Sequence, residues 1–211
     1  MLTAYTPSAQ YQKLCALAEG PYEALLFDCD GTLADNMEAH KETYVEIASQ
    51  SGVAIDPQIV DELAGWPIPE VIVEINKRYG SDFDPLDFER RKSDLFYHQF
   101  IEKTQPIAYV VDYLKAQAGK KRIGVVSGGN RRTVAKTLKV LGIDHLVEAL
   151  VCAGETPNGK PFPDPFLAAA EQLRVAPEKC LVFEDGVPGV KAAEAAGMPW
   201  VRIDLLTNSL G

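Results

Sequence analysis

Five short runs constrain this chain most: Ala24-Leu25-Leu26-Phe27, Ile123-Gly124-Val125-Val126, Ala149-Leu150-Val151, Cys180-Leu181-Val182-Phe183 and Trp200-Val201-Arg202-Ile203. Each is apolar almost throughout and passes directly to Asp28, Ser127, Cys152, Glu184 or Asp204. Continuous rather than alternating hydrophobicity is what a strand covered on both faces requires, so these runs predict a parallel sheet layered by helices. Helical spacings fill the intervals. Val134, Leu138 and Leu141 share one face, Phe166, Ala170 and Leu173 another, and Val190 to Ala196 ends at Gly197, a candidate C-cap. Strand and helix in alternation predict an α/β fold.

The first two strands stand too far apart for one crossover. From Asn36 to Thr104 the sequence reads as helices only: Met37, Tyr44, Ile47 and Ser51 on one face, then Val71, Ile75 and Tyr79, then Phe88 to Ile101. Breakers separate them at Gly52, Asp56-Pro57, Gly65 to Pro69 and Gly80 to Asp82. A stretch this long with its own apolar faces is not a loop, so residues 36–104 are expected to form an inserted all-helical cap. The core is then residues 21–35 and 105–211. Residues 1–20 form an N-terminal extension, with one helix around Ala9 to Ala18.

Composition narrows the function. A chain with 46% apolar residues has material for a real core, and a net charge of −9 disfavours nucleic acid and anionic membranes as partners. Cys15, Cys29, Cys152 and Cys180 are scattered without a Cys-x-x-Cys pair, and no basic-then-apolar leader or span-length apolar run occurs. A cytoplasmic, monomeric protein is the expectation.

The chemistry concentrates where the strands end, the edge at which open parallel sheets bind ligands. Asp28 and Asp30 follow the first strand, and residues two apart in extended chain point the same way. Two carboxylates facing one pocket need a cation or a proton between them. Alone, Asp28-Cys29-Asp30-Gly31 could be a solvated turn. Ser127-Gly128-Gly129-Asn130 follows the second strand and opens a helix, an arrangement suited to phosphate or to simple N-capping. Lys160, within Gly159-Lys160-Pro161-Phe162-Pro163-Asp164-Pro165, is a cation before another helix, and Glu184-Asp185 ends the fourth strand.

In this order on these strand ends, the set resembles the haloacid dehalogenase (HAD) superfamily of phosphotransferases. The match spans Leu25 to Asp204, with four motifs: Asp28-x-Asp30-Gly31-Thr32, Ser127, Lys160 and Glu184-Asp185. The helical insert between the first two motifs, the stretch Asp35 to His40, and Lys160 to Phe166 resemble the β-phosphoglucomutase-like branch, which includes many sugar-phosphate phosphatases. The resemblance implies a Rossmann-like core beneath a helical cap.

It also implies roles. Asp28 would be the nucleophile, forming an aspartyl-phosphate, and Asp30 the acid and base for leaving alcohol and attacking water. Asp28, the backbone carbonyl of Asp30 and Asp185 would hold Mg2+, with Glu184 assisting through water. Ser127, the Gly128 N–H and Lys160 would bind the phosphoryl oxygens. Charge balance argues for the ion independently. Asp28, Asp30, Glu184 and Asp185 against Lys160 leave three net negative charges, which Mg2+ and a proton on Asp30 would cancel.

The substrate expected is a small phosphorylated metabolite, a sugar or sugar-acid phosphate. Mutases of the resembled branch use a cap arginine near the position of Ile68 and a lysine where Asn130 stands; these differences favour a phosphatase, with Arg131 a conceivable replacement. A β-phosphoglucomutase-like isomerase is the alternative, and a receiver-like phospho-acceptor domain is a distant third because receivers lack the insert. In the cap, His40, one turn beyond Asn36, and Lys92 are the candidate substrate residues, together with Asn130 on the core side. Each has an ordinary reading, cap packing for His40 and a solvated helix face for Lys92. Cys29 is expected to point into the sheet packing, and Lys160-Pro161 invites a cis peptide.

Overall fold

The computed structural model describes residues 7–63 and 66–207. Residues 1–6 of the predicted extension and Gly65 of the predicted breaker lie outside them. Strands β1 (Ala24–Phe27), β4 (Arg122–Val126), β5 (Ala149–Val151), β6 (Cys180–Glu184) and β7 (Trp200–Arg202) form one parallel sheet in the order β5-β4-β1-β6-β7. The register pairs Phe27 with Val125 on one side and Phe183 on the other. All five predicted strands are therefore present, with β1 at the centre and all four of its residues buried.

Alternation explains the unbroken hydrophobicity. Leu25, Phe27, Ile123, Val125, Leu181 and Phe183 face one apolar layer, built with helices α6 (Ala108–Gln117) and α7 (Arg131–Val140). Ala24, Leu26, Val126, Ala149, Val151 and Val182 face the other, built with α8 (Asp164–Leu173) and α9 (Val187–Ala195). Neither strand face meets water, so neither can be polar. Gly197 has φ +71°, the left-handed geometry predicted for the end of that helix.

Helix α1 (Ala9–Leu17) packs against α6 and is not a loose appendage. Leu14 is fully buried in the first layer, and Tyr11 meets Tyr113 edge-on at 6.4 Å. Leu14→Ala should therefore lower unfolding free energy by about 2–5 kcal/mol, read from denaturant midpoints. A change near zero would mean that α1 contributes nothing to the core.

After β1 the chain forms β2 (Ala34–Asp35), which pairs antiparallel with β3 (Gln105–Pro106). This two-stranded ribbon, not foreseen from sequence, carries the chain out of the sheet layer and back. Between its strands lie α2 (Met37–Ser49), α3 (Gln58–Glu62), α4 (Ile68–Tyr79) and α5 (Pro85–Leu95), the last widening into a π turn over Phe96–Phe100. They share a separate apolar cluster that includes Tyr44, Ile47, Ile59, Ile72, Ile75 and Phe88. Ser51 does not belong to the α2 face as the spacing predicted; the helix ends at Ser49 and Ser51 is exposed. Gly52, at φ +77°, turns the chain just beyond it. A final helix, α10 (Asp204–Thr207), closes the described chain, and no described helix is long and apolar enough to cross a membrane.

Candidate active site

Parallel strands bring all four sequence motifs to one edge. Asp28 follows β1, Ser127 follows β4, Glu184 ends β6 with Asp185 directly after it, and Lys160 lies on the loop between β5 and α8. Lys160 spends its three N–H donors on Asp28 Oδ1 at 2.6 Å, Glu184 Oε1 at 2.5 Å and the Val126 carbonyl at 2.8 Å. Burial alone would depress this lysine, but Asp28 and Glu184 outweigh it and raise its pKa. The Lys160–Pro161 peptide is cis.

Carboxylate oxygens of Asp28, Glu184 and Asp185 lie within 4.8 Å of one another. Burial raises Asp28 well above the usual carboxylate range despite Lys160, with Glu184 and Asp185 adding repulsion. Asp185 is pushed up to about 7, by burial first and by the Glu184 charge second. Such crowding of hard oxygen donors, only partly compensated by one lysine, fits a divalent cation such as Mg2+.

Two glycines make the crowding possible. At Gly31 (φ +89°) an added Cβ would stand 2.2 Å from Asp185 Oδ2. At Gly189, within α9, it would stand 1.9 Å from the Glu184 carboxylate. Glycine to alanine in a helix ordinarily stabilises by about 1 kcal/mol. Here the sign should reverse, and Gly189→Ala should destabilise by roughly 1–3 kcal/mol and lower activity. A higher melting temperature with intact activity would contradict this packing.

Asp30 sits in a different environment. Asn36 Nδ2 donates to its Oδ1 at 2.6 Å, and His40 Nε2 lies 3.4 Å from the same oxygen. His40 Nδ1 is 2.7 Å from Lys92 Nζ, so a charged Lys92 donates to Nδ1 and leaves the ring proton on Nε2, facing Asp30. The imidazole also stacks on Phe96, with ring centroids 4.2 Å apart. Burial, then Lys92, lowers the His40 pKa, and burial draws Lys92 down to about 8. Burial pushes Asp30 the other way, yet His40, Asn36 and Lys92 prevail and hold it at about 2. The proton that charge balance placed on Asp30 is therefore absent in this state.

The predicted residues thus converge with one exception. Ser127 Oγ accepts from the Gly129 N–H at 3.0 Å, which leaves its own O–H free to donate into the cavity that Ser127 and Gly128 line. His40 and Lys92 reach the floor from the cap, and Lys92 is buried rather than on a solvated face. Asn130 does not line this cavity. Its carboxamide oxygen caps α7 through the Thr133 N–H at 3.0 Å, and the residue borders a separate depression beside α5. Nor does Arg131 substitute for a mutase lysine, because it is tied to Glu155 at 2.5 Å and to the Leu150 carbonyl. Cys29 is buried in the sheet layer as expected, its thiol raised by burial.

Sequence reasoning missed Asn36 as a site residue, and it named Thr32 without a role. Thr32 Oγ1 donates to Asp185 Oδ1 at 3.2 Å. The position of Asn36, six residues past Asp30 at the mouth of the insert, was the available signal. The cavity between floor and cap holds about 350 Å³, and its cap wall is apolar, formed by Val60, Leu63, Trp66, Ile68 and Val71.

A model of the haloacid dehalogenase-like hydrolases matches residues 22–197. The chain belongs to the haloacid dehalogenase-like hydrolase family. Among curated relatives of this HAD-like hydrolase, the fructose-1-phosphate phosphatase YqaB of Escherichia coli is 34% identical over 188 residues, covering 88% of this chain and 98% of that protein. The β-phosphoglucomutase of Bacillus subtilis is 29% identical over 182 residues, covering 83% and 80%. The solved structure of CbbY from Rhodobacter sphaeroides in complex with phosphate superposes with a TM-score of 0.76 at 24% identity, covering 85% and 84%, which is a likeness of fold. The HAD-like hydrolase described here is an enzyme of the phosphatase type.

Proposed function

We propose that the protein is a Mg2+-dependent phosphomonoesterase of a small sugar phosphate, acting through an aspartyl-phosphate on Asp28. The observation that carries this reading is the placement of Asp28 on the cavity floor, with Lys160 and the Ser127 loop beside it and Asp30 held by a separate set of partners. Asp28 attacks phosphorus while Ser127, the Gly128 N–H and Lys160 steady the equatorial oxygens. Lys160 exchanges a carboxylate for a phosphoryl oxygen as it does so.

Asp28, Asp185 and the Asp30 carbonyl would hold Mg2+, with Glu184 nearby. The ion would supply the positive charge that lets a phosphate dianion approach three carboxylates. Asp30 starts ionised, and an arriving phosphate dianion disfavours its charge and so favours its protonation. It then gives that proton to the leaving alkoxide and takes one from the water that cleaves the aspartyl-phosphate.

Hydrolysis is favoured over phosphoryl migration by the cap. A mutase must hold a second phosphate while the sugar turns, and the wall at Val60, Leu63, Ile68 and Val71 offers no charge. Among the described residues lining the cavity, the lysines are Lys92 and Lys160, and both are already engaged. The relative named for fructose 1-phosphate supports a ketose or aldose monophosphate. Four free cysteines support a reducing, cytoplasmic setting.

The test is a panel of phosphorylated metabolites assayed for inorganic phosphate with Mg2+ present. Hexose and pentose monophosphates should be hydrolysed, fructose 1-phosphate among them, and the corresponding bisphosphates more slowly. Failure on every monophosphate would overturn the reading.

A further inference from the structure

Two separate loops hold the phosphoryl donors. Ser127 and Gly128 belong to the turn between β4 and α7, and Lys160 to the segment between β5 and α8. The sheet keeps the two in register as far as its edge, where the Ser127 N–H donates to the Val151 carbonyl at 2.9 Å. Beyond that point both run without strand or helix, and both carry glycine, at Gly128, Gly129, Gly154 and Gly159. Glycine leaves a backbone its widest conformational freedom, so something else must fix the spacing of the loops.

Arg131 and Glu155 join them. Arg131 is the first residue of α7, directly after the Ser127 turn, and Glu155 lies in the run that leads to Lys160. Arg131 Nε donates to Glu155 Oε1 at 2.5 Å and Nη2 to Oε2 at 2.7 Å, fork to fork. Backbone groups extend the bridge. Arg131 Nη2 also donates to the Leu150 carbonyl at 2.7 Å, and Glu155 Oε2 also accepts from the Cys152 N–H at 3.0 Å. Alongside, the Ala153 N–H donates to the Gly129 carbonyl at 3.0 Å.

Neither side chain faces the substrate. Gly128 and Gly129 line the cavity on one side of the pair and Cys152, Ala153, Gly154 and Thr156 on the other, while Arg131 and Glu155 form no part of its wall. Arg131 is half exposed, and an exposed ion pair contributes little to stability. What this one achieves is to tie the turn that presents Ser127 to the segment that presents Lys160.

We propose that Arg131 and Glu155 are positioning residues that set the spacing between the two loops, so that Ser127, the Gly128 N–H and Lys160 converge on one phosphoryl group. The proposal rests on the reading of those three as the phosphoryl-binding groups.

The sign of one substitution separates this role from an electrostatic one. If Arg131 merely drew in the phosphate dianion, removing the negative charge of Glu155 would speed the enzyme; if the pair is a brace, it slows it. Glu155→Ala and Arg131→Ala should each lower kcat/KM roughly ten- to a hundredfold. The factor should be about the same for fructose 1-phosphate and p-nitrophenyl phosphate, since both present the same phosphoryl group. Arg131→Lys, which keeps the charge but not the fork, should lose at least about tenfold as well. The double alanine variant should fall within about threefold of either single one, because the second substitution has no pair left to break. Melting temperatures should stay within about 3 °C of the wild type, as befits an exposed pair. Unchanged or higher kcat/KM in Glu155→Ala, or losses that multiply in the double variant, would overturn the proposal, and so would activity lost in step with a fallen melting temperature. Ser127→Ala separates this from the reading beneath it. If Ser127→Ala lowers kcat/KM and the pair variants do not, the brace alone fails; if Ser127→Ala leaves kcat/KM intact, the assignment of the phosphoryl-binding loop fails with it.

Discussion

Asp28→Asn should lower kcat by at least ~10⁴-fold without loss of the fold. A carboxamide oxygen is a poor nucleophile, and the substitution removes the carboxylate that follows the central strand and accepts from Lys160. Asp30 stands with partners of its own, Asn36 and His40, and is assigned the proton transfers instead. The effect on stability should run the other way. The folded protein disfavours the Asp28 charge, because burial and the Glu184 and Asp185 carboxylates raise its pKa. An acid whose folded pKa is raised costs stability above its unfolded pKa, so a neutral replacement relieves a penalty at neutral pH. The metal-free variant should melt no lower than the wild type. A large fall in melting temperature would show that the Asp28–Lys160 pair holds the core together. Activity retained within tenfold would remove Asp28 as nucleophile.

Chelation is the second large effect. Excess EDTA should reduce phosphate release to background, and excess Mg2+ should restore it, because a phosphate dianion has no reason to enter a nest of carboxylates only partly compensated by one lysine. Binding has a readout apart from turnover. Mg2+ at a hundredfold excess over its Kd should stabilise the protein by about 2.7 kcal/mol, seen as a rise in melting temperature. The pH dependence follows from Asp185, whose pKa lies at about 7 in the metal-free protein, well above its unfolded value. Metal-free stability contributed by this residue is greatest at low pH and declines as pH rises toward about 7. Asp185→Asn should abolish that part of the slope along with the Mg2+ response. Full turnover in excess chelator would refute the metal requirement.

The sheet was legible because two-sided burial writes itself into sequence. Leu25 and Phe27 face one layer, Ala24 and Leu26 the other, and no polar residue can interrupt such a strand. The floor of the site was legible for a related reason: parallel strands deliver whatever follows them to one edge, so Asp28, Ser127 and Glu184 had to meet. The ribbon of Ala34–Asp35 with Gln105–Pro106 was not legible, since two residues per strand carry no periodicity. Asn130 misled because a residue after a strand can serve either substrate or helix, and here the Thr133 N–H takes its carboxamide oxygen. The charge state of Asp30 was hidden for another reason. It depends on His40, Asn36 and Lys92, and Lys92 comes from more than sixty positions away in the chain. Spacing alone could not bring Lys92 to His40.

The most direct measurement is phosphorus NMR of a reaction containing fructose 1-phosphate, Mg2+ and the purified protein, followed to completion. The account predicts that the sugar-phosphate signal is replaced by inorganic phosphate alone, one for one, and that Asp28→Asn leaves the starting signal unchanged. A new sugar-phosphate resonance without release of inorganic phosphate would contradict it, and would assign the enzyme to phosphoryl migration instead.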